Sequence, residues 1–81
     1  MTTVPPPTFR VVLRHAGRSR LELMKLIRAR RPEVGLAEAQ GLVAPGQVIL
    51  PRIGHFEVDR VRRELDRLGA HYEIAREGVA G

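Results

Sequence analysis

Few residues of this 81-residue chain are of types that carry out covalent chemistry, and their spacing does not assemble them. His15, His55 and His71 stand 40 and 16 positions apart, unlike the short spacings by which one helix or loop offers two imidazoles to a metal ion. Cysteine is absent, so there is neither a thiolate ligand nor a sulfur nucleophile. Ser19 is the only serine, and its place three residues before Glu22 gives it a structural duty as a helix cap. Glu57, Asp59, Glu64 and Asp66 are interleaved with Arg60, Arg62, Arg63 and Arg67, the pattern of solvated ion pairs along a helix. No catalytic, cofactor-binding or metal-ligating set is expected, and the chain does not read as an enzyme.

The residues that could do chemistry of another kind lie between Arg10 and Arg31. This segment holds eight Lys or Arg and one acid, Glu22, a balance of +7. The rest of the chain holds six bases and eight acids, which leaves the net charge at +5. Such a field attracts acidic proteins or nucleic acid. Within it, at about 100° per residue, Leu21, Met24, Lys25 and Arg28 fall on one arc of a helix, opposite Leu23, Leu26 and Ile27. Two apolar side chains between two cations are a candidate protein-binding face; the plainer reading is that Leu21 and Met24 are simply exposed, or covered by a neighbouring loop.

The elements that must position these residues follow from local signals. Ser19 and Glu22 form a capping box that starts a helix near Arg20, and Pro32 stops it by about Arg31. Before it, Phe9, Val11 and Leu13 alternate with Arg10, Val12 and Arg14 as a short strand that turns at Ala16-Gly17. After it, Leu36, Ala39 and Val43 recur at helical spacing as a short second helix over residues 36 to 43. Val48, Ile49 and Leu50, interrupted by Pro51, suit an edge strand. Val58, Val61, Leu65 and Leu68 give a third amphipathic helix over residues 56 to 68, with Gly69 at its C′ position, and His71 to Ile74 supply a last strand. Phe9 and Phe56 are expected in the core.

The order is βααβαβ, an α+β domain with three helices on one face of a three-stranded, mainly antiparallel sheet. Eighty-one residues suffice for one such domain. Residues 9–76 are assigned to it, with a Pro-rich extended tail over 1–8 and a short tail over 77–81. The N-terminus lacks the layout of a signal peptide and no apolar run approaches the length of a membrane span, so a cytoplasmic, membrane-free protein is expected.

The ordered set of Ala16-Gly17, the basic-hydrophobic helix Arg20 to Arg28, Gly35-Leu36-x-Glu38-Ala39-x-x-Leu42-Val43 and Leu65-x-x-Leu68-Gly69-Ala70 resembles the C-terminal domain of the bacterial ribosomal stalk protein of the large subunit. The resemblance covers the chain from Phe9 to about Ala75. It implies recruitment of translational GTPases (elongation factors) and ribosome association, with contact roles on Arg20, Leu21, Met24, Lys25 and Arg28 and on Gly35, Leu36 and Glu38 at the start of the second helix. Ala37 and Gln40 stand where that family usually has lysines. The family's dimerisation domain and hinge have no counterpart in the residues before Phe9, so the chain is expected to act as a free-standing relative and a monomer.

Two other binding modes compete. The adaptor of the Clp protease is similar in fold, but it uses an acidic Asn-Asp loop after the first strand, where this chain has Arg14-His15-Ala16-Gly17-Arg18. Weak, salt-sensitive nucleic-acid binding would follow from the basic segment alone, without an aromatic platform.

Overall fold

The computed structural model describes residues 6–77. Residues 1–5 and 78–81, which hold most of the two expected tails, lie outside the described residues. The elements run β1 (Thr8–His15), α1 (Arg20–Arg30), α2 (Leu36–Leu42), β2 (Val48–Gly54), α3 (His55–Arg67) and β3 (His71–Arg76), the expected order with boundaries within a residue or two of those read from the helical periodicities. The sheet is antiparallel throughout, in the order β2-β1-β3. β1 is therefore central, and the Pro51-containing strand takes an edge, where the missing N–H of proline costs no ladder bond. The pairing of β1 with β2 shifts register twice, and Arg52, just after Pro51, sits at φ 55°.

Strand alternation explains which face the helices cover. Val11 and Leu13 are fully buried, whereas Arg10 and Arg14 on either side of them are exposed on the other face, with Val12 between them half-buried. The helices contribute Leu23 and Ile27 from α1, Ala39 from α2, and Val61 and Leu65 from α3. Val34, in the corner after Pro32, is also buried; its N–H donates to the Arg31 carbonyl at 2.9 Å, while the Arg31 guanidinium donates to the Ile49 carbonyl at 3.2 Å. The corner is thus pinned from both sides, which fixes the path from α1 into α2.

Two turns read separately in the sequence meet in space. Gly69 (φ 73°) ends α3 in a Schellman arrangement, its N–H donating to the Asp66 carbonyl at 3.0 Å and that of Ala70 to the Leu65 carbonyl at 3.1 Å. Gly17 (φ 80°) lies directly against it, and a Cβ there would fall 2.5 Å from the Gly69 carbonyl oxygen. Any side chain at Gly17 would both strain the turn and push α1 away from the α3–β3 junction.

Phe56 departs from expectation. It is 89% exposed rather than part of the core. The periodicity of its own helix accounts for this, since Phe56 lies about 160° from Val58 on the wheel.

Candidate functional site

The Ser19 hydroxyl accepts the Glu22 N–H at 3.4 Å, as a cap should, but the Glu22 carboxylate turns toward Lys25, 3.6 Å away. With its start fixed there, α1 presents Leu21, Lys25 and Arg28 on its outer face, and Arg20, also exposed, lies on the flank toward the end of α2. Leu21 is 60% exposed. Gly35, the extended N-cap of α2, is followed by Leu36, which is 54% exposed, and by Glu38, also exposed. Leu36 therefore leaves the apolar stripe of α2, which Ala39 and Val43 carry without it.

Met24 is a correction to the expected face. Only 8% exposed, it belongs to the core. A wheel with a single inward stripe put it outside because it lies about 60° beyond Ile27. However, α1 has neighbours on both flanks. Arg20 shares a pocket with Val43 and Pro45 at the end of α2, so the flank of α1 that carries Met24 one turn further along is the one that faces α2. On the other flank Leu26, half-buried, lines an open groove of about 530 Å³ with Ala29 of α1 and Glu64 and Leu68 of α3.

Charge is redistributed by the fold. Arg14 pairs with Glu73 across β1 and β3. Their bond and mutual charge hold the Glu73 carboxyl below its ordinary value and raise the Arg14 guanidinium above its own. Arg30 reaches from α1 to α3, donating to Glu57 at 3.2 Å and through two nitrogens to Glu64 at 3.2 and 3.3 Å. Arg31 pairs with Glu33 at 3.3 Å. Of the eight cations between Arg10 and Arg31, four make no ion pair among the described residues: Arg10, Arg18, Arg20 and Arg28. Two of these, Arg20 and Arg28, flank Leu21 and Lys25 on α1.

The histidines are less scattered than the sequence suggested. His15 and His71 are cross-strand partners with ring centroids 6.1 Å apart, and Nδ1 of His15 accepts the Gly17 N–H at 3.0 Å. Spacing along the chain could not show this, because strand register brings them together. Among the described residues no three His, Asp or Glu side chains gather as potential ligands of a metal ion, and no helix is long and apolar enough to cross a membrane. The site can offer apolar contact with a cationic rim.

Comparison with known proteins gives this face a context. No family model matches the chain. The large ribosomal subunit protein bL12 of Xylella fastidiosa (strain M23) is 33% identical over 66 residues, covering 82% of this chain and 53% of that protein. The bL12 of Phenylobacterium zucineum (strain HLK1) is 34% identical over 68 residues, covering 82% of this chain and 52% of that protein. The chain thus spans about half the length of the curated relatives it matches.

Proposed function

This chain is related to the C-terminal domain of the ribosomal stalk protein bL12, and on that kinship we propose that it is a non-catalytic protein-binding module that contacts a translational GTPase, or another acidic protein surface, in the cytoplasm in association with the ribosome. The proposed contact set is Arg20, Leu21, Lys25 and Arg28 of α1 with Gly35, Leu36 and Glu38 of α2; Met24 supports it from beneath. One observation carries the reading: Leu21 and Leu36, two large apolar side chains that the core does not use, stand exposed on adjacent helices beside cations without ion-pair partners. Desolvated contact would come from the leucines, and the cations would steer encounter with an acidic partner.

Binding kinetics against purified elongation factors test this. Leu21→Ala should raise the off-rate on the order of tenfold if Leu21 is a hot spot. Lys25→Glu should mainly slow association, with an effect that shrinks as added salt shortens the Debye length below about 8 Å. Unchanged binding in both variants, with binding lost on substitution of the outer face of α3, would put the protein-binding site on the wrong helix.

A further inference from the structure

The outer face of α3 carries a second surface that the proposed function does not use. At about 100° per residue, Phe56, Arg60, Arg63 and Arg67 lie within roughly 60° of one another, opposite Val58, Val61 and Leu65. All four are exposed. Sequence alone pairs these arginines with the acids between them, yet three of those four acids have partners elsewhere, and only Asp59 has none among the described residues. Glu57 and Glu64 accept from Arg30 of α1, and Asp66 accepts the Tyr72 hydroxyl at 2.8 Å. Among the described residues Arg60, Arg63 and Arg67 make no ion pair. At the N-terminal end of the row, Phe56 is stacked on His55 with ring centroids 4.1 Å apart and planes tilted by 32°.

An aromatic pair open to solvent, continued by one unpaired guanidinium per turn, is the combination by which a protein holds a single-stranded polynucleotide: a base stacks on the ring and phosphates follow the cations. The row is about 16 Å long at about 1.5 Å per residue. That is the reach of roughly five stacked nucleotides at about 3.4 Å each. Carboxylates of an acidic polypeptide would satisfy the arginines, whereas a polynucleotide brings a phosphate and a flat base with every residue, so the stacked His55–Phe56 pair at the end of the row favours the nucleic acid. We infer that the outer face of α3 binds single-stranded nucleic acid, without sequence selection, through base stacking on Phe56 and phosphate contacts from Arg60, Arg63 and Arg67. It shares no residue with the α1–α2 face, although Arg67 of the row and Lys25 of that face line the same groove between α1 and α3.

The test is fluorescence anisotropy of a labelled 12-nucleotide oligouridylate titrated with the full chain, over a range of salt, with circular dichroism to confirm folding. The logarithm of the binding constant should fall against that of salt with a slope of about −2, from three phosphate contacts at about 0.7 each. Arg63→Glu should weaken binding on the order of tenfold at low salt and flatten that slope by roughly 0.7 or more. Phe56→Ala should weaken binding on the order of tenfold and leave the slope unchanged, because stacking releases no counterions. Asp59→Asn, which removes an acid flanking the row, should tighten binding, and Leu21→Ala should do nothing. Equal affinity for a polyglutamate of similar length, or an unaltered affinity in both Phe56→Ala and Arg63→Glu, would overturn the inference.

Discussion

Helices α1 and α3 are both amphipathic in sequence, yet only one of them is described by a single stripe. In α3 the apolar positions Val58, Val61, Leu65 and Leu68 point to one side, toward β1 and β2, and everything opposite them is exposed. In α1 the sheet lies behind the stripe and α2 packs on one flank, while α3 faces the other across an open groove, so the buried surface extends past Leu23 and Ile27 to Met24 but only partly to Leu26. Periodicity locates the centre of a buried face. The width of that face depends on how many neighbours the helix has, which is a property of topology.

The largest expected effects compare the centres of the two faces. Ile27→Ala and Leu65→Ala each remove a fully buried side chain, and each should cost about 2–5 kcal/mol in urea unfolding with an unchanged m-value. Similar losses would show that α1 and α3 belong to one cooperative core. A loss at Leu65 with an unmoved midpoint for Ile27→Ala would mean that α1 is held by its ends and its ion pairs rather than by packing.

A smaller pair of effects tests the width of the α1 face. Met24→Ala should cost about 2 kcal/mol, at the low end for such a truncation because a rim position lets neighbours relax into the gap. Leu21→Ala, three residues earlier and 60% exposed, should stay within about 0.5 kcal/mol. Equal midpoints for the two variants would return Met24 to the surface and restore the one-stripe reading of α1.

What was legible in the sequence and what was not divides along the same line. Elements set by local signals were readable: the Ser19 cap, the stop at Pro32, the edge strand implied by Pro51 and the Gly69 C′ turn all form as their residue types require. The exposed position of Phe56 was also available, since the spacing that defines the buried stripe of α3 excludes it. Met24, the buried Val34 of the corner and the His15–His71 pair were not, because each depends on which element the fold brings alongside. The same holds for charge. Counting residues gave a basic segment around α1 and a self-paired α3, but Arg30 takes Glu57 and Glu64 across the seam, so one cation of α1 is neutralised and arginines of α3 are left unpaired.

The Arg14–Glu73 pair gives the smallest expected effect and the most direct check on that redistribution. Arg14 belongs to the basic segment and Glu73 to β3, so the pair exists only because β1 lies beside β3 in this register. The guanidinium hydrogen bond, and then its charge, hold the folded Glu73 carboxyl below the value it has in the unfolded chain. The folded state therefore binds that proton less tightly than the unfolded state does. The stability this contributes is fully present above the ordinary carboxylate range and is lost as pH falls through the folded value. Both groups are solvent-exposed, so screening keeps the gain small. Unfolding midpoints measured from pH 7 down to pH 3 should converge for the parent and Arg14→Gln as Glu73 becomes protonated, with the parent slightly ahead at pH 7. Added salt should narrow that lead, since the pair is open to counterions. A difference that is constant across the range would mean that Arg14 contributes through the packing of its stem along the sheet, and that the basic segment keeps this charge unshared.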